Sequence, residues 1–261
     1  MITTGMQPYL FPYIGYFQLL ECSDIFVVGD DMQYIKGGWI NRNRILVDQE
    51  PCWLTFSIHD DSADLPINQR YYVEDPNVRS RILRRIECAY RKAPYFKDIY
   101  PVIADIMSFG SNNVSEFNTN AIRRLANLLK IQCRILVSSE LEKDNSLKGQ
   151  DRVIEINRCV GSSHYINPIG GMALYKERDF LKFGIELSFL RPDAIQYHQF
   201  AEPFVPSLSI IDVLMFNGIP GTSKLLAKYD LIKQEQWFAE PDNRQQEAQP
   251  ALIPMYGGYS A

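Results

Sequence analysis

Nothing limits the fold of this chain more than the succession of short patterns in residues 1–31. An apolar lead-in reaches Gln7, a turn carrying Pro8 and Pro12 follows, and an amphipathic run ends near Cys22-Ser23-Asp24. Ile25-Phe26-Val27-Val28, short and mostly β-branched, then stops abruptly at Gly29-Asp30-Asp31. Strand, turn, helix, strand is the economical reading, and it is half of an open α/β sheet. Pro12 suits a first helical turn, because its φ is preset and its missing N–H would lack a partner there. That order aims the positive end of a helix at the carboxyl end of the first strand, where open α/β sheets bind ligands. Asp30 and Asp31 close the second strand at the same edge. The loop after them gathers Gln33, Tyr34, Lys36, Trp39, Asn41, Arg42, Asn43 and Arg44, a polar and aromatic density unusual for a mere connection.

The remainder sustains the α/β theme. Trp53 to Ile58 alternates as a third strand. From Asn77, Val78, Ile82, Ile86 and Tyr90 recur at helical spacing, with Arg79, Arg81, Arg84 and Arg85 on a solvated face. Further helices are expected over Ile99 to Met107 and from Ser115, so about 77–130 reads as a helical insertion between strands. Cys133 to Val137 returns to a strand, and Lys143 to Gln150 is a polar linker. A helix from Asp151 ends near Gly161. Ser163 to Ile166 is a strand, Tyr175 to Phe183 a helix stopped by Gly184, and Ile185 to Leu190 a strand. A last helix starts at Ser207 or Ser209, carries Asp212 as its first-turn acid, and closes at Asn217-Gly218. The expected fold is α/β, Rossmann-like, a mostly parallel open sheet with a helical insertion. Residues 1–230 would form a single domain and 231–261 a polar C-terminal tail.

Composition narrows the function classes. A net charge of −4 argues against a nucleic-acid partner. The five cysteines are scattered without a C-x-x-C pair, as expected for reduced thiols in the cytoplasm. No apolar run is long enough for membrane insertion and the N-terminus lacks a signal-peptide pattern, so a cytoplasmic location is expected. No P-loop, nucleophile elbow, dinucleotide glycine fingerprint or zinc signature identifies a cofactor. Self-association is left open.

Three groups of residues carry a resemblance. Gln7-Pro8-x-Leu10-x-Pro12-x-x-Gly15-Tyr16-Phe17 is followed by Asp24-x-Phe26-Val27, Asp31, Gln33 and Asn41-Arg42-Asn43-Arg44-Ile45. Tyr165-Ile166-Asn167 comes next, then Tyr197-x-Gln199 and Phe204 through Asn217-Gly218. Together they resemble the WbqC-like proteins over roughly residues 1–220. The resemblance implies a place in O-antigen or other surface-polysaccharide biosynthesis, and a transferase moving an aminoacyl (glycine-type) group. A weaker likeness is to nucleotidylyltransferases with an H-x-G-H motif after their first strand. Here Tyr13-Ile14-Gly15-Tyr16 stands at that place, where Gly15 keeps space for a close ligand but tyrosine supplies no positive charge near neutral pH. Nucleotidylyl or ATP-dependent ligase chemistry at this turn is therefore the alternative, alongside a non-catalytic nucleotide-sugar-binding protein.

The expected site gathers the end of the first strand, the Pro12 helix start, the Asp30–Arg44 loop and the loop after Tyr165. Asp31, Asp30 or His164 would accept a proton, although aspartates also end turns and a lone histidine is commonly structural. Lys36 and Arg42 would hold an anionic small molecule, a nucleotide sugar or an amino acid. Gln7, Tyr9 and Asn41 would orient the acceptor, with Gln33, Asn43 and Tyr165 as further substrate-binding candidates. Tyr13, Gly15, Tyr16, Gln199 and Ser209 complete the candidate set, with core packing and helix capping as their plain alternatives.

Overall fold

The computed structural model describes residues 1–62 and 64–239. β1 (Ile2–Met6), α1 (Ile14–Glu21) and β2 (Ile25–Val28) form the first crossover. A hairpin of β3 (Arg42–Val47) and β4 (Glu50–Thr55) follows, then α2 (Val78–Tyr90), α3 (Phe96–Met107) and α4 (Val114–Leu128). β5 (Arg134–Val137), α5 (Gly149–Cys159), β6 (His164–Pro168), α6 (Glu177–Leu181) and β7 (Glu186–Pro192) resume the alternation. α7 (Ile210–Leu226), β8 (Tyr229–Ile232) and α8 (Gln234–Ala239) end the described chain.

Six strands make one sheet in the order β5-β2-β1-β6-β7-β8. All neighbours are parallel except β7 and β8, which run antiparallel. The chain steps outward from β1 to β2 and β5, then returns past β1 to β6. This is the doubly wound order, with its switch point between β1 and β6. Apolar residues cover both faces, as a buried parallel sheet requires. The larger core joins Leu19 and Phe17 of α1 with Ile166 of β6 and Val213 and Leu214 of α7. A smaller core on the α5/α6 side holds Val153, Tyr165, Phe180, Leu187 and Phe189.

Several elements depart from the sequence expectation. Residues 42–47, read as a loop, are β3, and its partner β4 ends at Thr55 instead of running to Ile58. Asp48 and Gln49 turn the hairpin with φ of 49° and 69°, the doubly positive pair of a twist-compatible two-residue turn. Charged side chains on one face hid this strand: Arg42 and Arg44 are half-buried while Asn43 and Ile45 are buried. β8 was not foreseen, because Asp230 and Leu231 on an exposed edge leave no apolar run; the expected boundary at 230 falls inside it. The tail from residue 240 onward lies outside the described residues. α4 starts one residue earlier than expected, at Val114, and is capped by Asn113, whose side chain accepts from the Glu116 N–H. α7 does not stop at Gly218 but kinks there and continues to Leu226.

Candidate functional site

The carboxyl ends of β1, β2 and β5 lie side by side, since Met6 pairs with Val28 and Val28 with Val137. The next residues therefore share one rim: Gln7, Gly29 with Asp30 and Asp31, and Ser138 with Ser139. Asp30 is buried, and both its oxygens face Ser139, accepting from the backbone N–H at 2.9 Å and from the hydroxyl at 2.6 Å. Burial pushes its pKa upward, with the Ser139 hydrogen bonds opposing and the neighbouring Asp31 charge adding to the rise. Asp31 carries two cations, Lys143 Nζ at 2.8 Å and Arg152 at 2.5 Å, and Lys143 also donates to the Ser138 carbonyl. The Lys143 side chain is only 1% exposed and that of Arg152 12%, so these charges are tolerated because they are paired. Arg152 stands in the first turn of α5. Two polar atoms on this rim, Gln7 Oε1 and Ser138 Oγ, are buried and make no hydrogen bond among the described residues. A buried acceptor or hydroxyl left open costs about 1–3 kcal/mol, which a ligand would recover.

The loop after β1 is held by side chains that bond its carbonyls. Tyr16 OH donates to Gln7 O at 3.0 Å, and Asn118 Nδ2 donates to Pro8 O and Ile40 O. Asn43 Nδ2 serves Leu10 O and Phe11 O, and Ser209 Oγ donates to Phe11 O at 2.8 Å. Phe11 adopts φ 43°, strained for a bulky residue and kept in place by these bonds. Asn41 receives Tyr34 OH and donates to Phe56 O. Asn41 and Asn43, candidates for ligand recognition in the sequence, spend their hydrogen bonds inside the scaffold.

Other candidates are placed differently from expectation. His164 opens β6 beside Ile2 of β1, at the opposite end of the parallel strands from Asp31, and its Nε2 is 2.9 Å from Ser188 Oγ. Its pKa is lowered, first by burial and then by Lys233. Arg42 turns back on its own loop, bonding Gly38 O at 3.1 Å and Gly37 O, with its guanidinium over Trp53. Lys36 and Gln33 are exposed, Gln33 bridging to Pro66. Tyr165 is buried in the smaller core, stacked on Phe180, and donates to Asn167 Oδ1. The room beside Gly15 is filled by the chain itself: a Cβ there would lie 2.5 Å from the Tyr13 ring. Gly15 thus makes space for Tyr13 and not, in this conformation, for a phosphate. Tyr9 and Tyr16 form a tilted buried aromatic pair at 5.8 Å. Gln199 Nε2 donates to Asp212 at 2.8 Å, where Tyr90 OH (2.9 Å) and Tyr197 OH (2.7 Å) also converge.

Sequence reasoning missed Lys143, Arg152, Ser138 and Ser139. Lys143 and Arg152 stood in a stretch read as solvated linker and helix. The available signal was the polar end of the β5 strand, Ser138-Ser139, followed by a linker and helix start that carry Lys143, Lys148 and Arg152. Asp212 was read as a first-turn acid complementing the α7 dipole, and it is indeed in that turn, but fully buried.

Among the described residues, no helix is long and apolar enough to cross a membrane, and no cluster of three or more potential metal ligands occurs. Against known proteins, the sequence profile described as the WbqC-like protein family matches residues 7–224. Uncharacterized protein Rv1507c of Mycobacterium tuberculosis is 26% identical over 214 residues, covering 81% of this chain and 91% of that protein. No solved structure matches.

Proposed function

The chain belongs to the WbqC-like protein family, and from that footing we propose that it is a biosynthetic group-transfer enzyme whose site is the β1/β2/β5 rim. The observation that carries this reading is the pair of buried cations, Lys143 and Arg152, converging on the single carboxylate of Asp31. Two adjacent cations at the mouth of an α/β sheet suit an anionic group of a substrate. They take over the role that the sequence gave to Lys36 and Arg42.

The specific reaction proposed is aminoacyl transfer to an amine or hydroxyl on a small acceptor such as an amino sugar, in surface-polysaccharide or related biosynthesis. The acceptor nitrogen attacks the carbonyl carbon of an activated donor. The new C–N bond forms, the bond to the leaving group breaks, and the departing anion is met by Lys143 and Arg152. Asp30, whose carboxyl burial holds above the ordinary aspartate value, takes the proton. Gln7 Oε1 accepts from the acceptor's N–H and orients it. His164 has no part, because it stands at the other end of the strands.

Single-turnover reactions with activated aminoacyl donors and amino-sugar nucleotides test this. Product should form with the native chain. Lys143→Gln and Arg152→Gln should each weaken the anionic substrate by about tenfold or more. Asp30→Asn should abolish product while substrate still binds, with thermal unfolding showing that the variants fold. Unchanged affinity in both cation variants overturns the site; saturable binding without product for any donor leaves a binding protein and overturns the transferase.

A further inference from the structure

Among the described residues, every buried or partly buried arginine but one has at least one side-chain hydrogen bond or ion pair. Arg70, 3% exposed, donates to Leu65 O and Ser62 O. Arg79 reaches Met107 O, Phe109 O, Ser111 O and Asn112 Oδ1. Arg152 pairs with Asp31. Arg44, in the middle of β3, is half-buried, yet among the described residues its side chain makes neither a hydrogen bond nor an ion pair. Its Nε is shut off from solvent without an acceptor. Its backbone is not loose, because Arg44 O accepts the Ser209 N–H at 2.8 Å. Burial with no compensating carboxylate lowers its pKa from the usual arginine value.

The surroundings indicate what is missing. The Arg44 guanidinium lies 5.7 Å from the Trp39 ring, Trp39 and Trp53 are 5.3 Å apart, and Arg42 covers Trp53 at 4.2 Å. Arg44 and Trp53 face each other directly across the hairpin. The surface is thus a pair of indoles flanked by two cations, with Trp53 40% exposed and the Arg44 side chain without a hydrogen-bond partner among the described residues. An arginine fork binds a carboxylate or phosphate through its N–H groups, and indoles accept a flat apolar body. A solvated surface arginine would not show this pattern, since it would keep its Nε in water.

We propose that Arg44, Trp39 and Trp53 form a second ligand site, on the hairpin and separate from the six-stranded sheet, for an organic anion. Its carboxylate or phosphate lies on the Arg44 guanidinium and its flat apolar part on Trp53. The site stands independently of the group-transfer reading.

Two of the three tryptophans of the chain line this surface, so intrinsic fluorescence reports occupancy. Phenylacetate, phenyl phosphate, inorganic phosphate and phenethylamine, as a cationic control, are titrated into the full-length protein. The two aromatic anions should give saturable quenching, inorganic phosphate weaker binding, and phenethylamine none; which aromatic anion binds better distinguishes carboxylate from phosphate. Arg44→Gln should weaken the aromatic anions by about tenfold, and Trp53→Leu should weaken them while sparing inorganic phosphate. Arg81→Gln, on an exposed helix face, and Lys143→Gln, on the sheet rim, should leave them unchanged. Equal affinity in Arg44→Gln and the native chain, or no saturable response up to the solubility of the probes, overturns the proposal. Loss in Lys143→Gln but not in Arg44→Gln places the anion at the rim instead.

Discussion

Asp212 illustrates how burial and hydrogen bonding contend at a single residue. Its carboxylate is fully buried, and three neutral donors, Tyr90 OH, Tyr197 OH and Gln199 Nε2, each push its pKa down. Desolvation is the larger effect, and the net direction is up. Between the ordinary aspartate value of 3.8 and the raised folded one, the folded chain keeps a proton that the unfolded chain has lost. Stability from this group is therefore complete below 3.8 and falls as pH rises through the folded pKa. Asp212→Asn removes that titration. Denaturant unfolding of the two proteins at a series of pH values should show the native chain losing ground to Asp212→Asn as pH rises through this window. A constant difference would mean that Asp212 is not shifted. Asp212→Ala, which strands two tyrosine hydroxyls, should cost about 3 kcal/mol at neutral pH.

At the scale of the element, α7 depends on a glycine within its own length. Gly218 has φ 61° and ψ −173°, a region essentially closed to L side chains, and a Cβ there would come 2.7 Å from the Tyr95 ring. The kink lets one helix begin at the Ser209 cap, cross the core and still deliver β8 to the sheet edge. Gly218→Ala should cost about 2–3 kcal/mol by thermal or chemical unfolding, from backbone strain and the ring clash together. A loss under half that would show that Tyr95 and the kink give way easily. The sequence marked this position through Asn217-Gly218, but as a helix end. A helix end and a kink share the same local signal, and only the residues packed beyond it distinguish them.

For the whole molecule, the sheet order sets a gradient of protection. β1 is flanked by β2 and β6, and both its faces are covered, whereas β8 is an edge strand with exposed residues. Amide hydrogen exchange should be slowest in β1, β2 and β6 and faster in β8 and in the two-stranded β3–β4 hairpin. Exchange in β8 as slow as in β1 would contradict the order. The same order explains how much of the site was legible. Gln7, Asp30 and Asp31 were found because each ends a strand whose apolar run is visible locally. Asn43 and Ser209 were recognised as special, but their bonds to the carbonyls of Leu10 and Phe11 depend on three distant segments meeting.

The sequence by itself determined most of the elements and the class of fold, through the apolar run of β2, the alternation of β7, the i+4 spacing of α2, and the prolines and glycines between them. Hydrophobic period and backbone restriction act over a few residues, so a linear reading reaches them. Only the tertiary structure decided which charges meet. Asp30 and Ser139 are 109 residues apart and touch because β5 lies beside β2, and the same pairing brings Lys143 and Arg152 to Asp31. In a linear reading those cations look like an ordinary solvated linker and helix; the partner that makes their burial tolerable is supplied by strand order, to which residue spacing is blind.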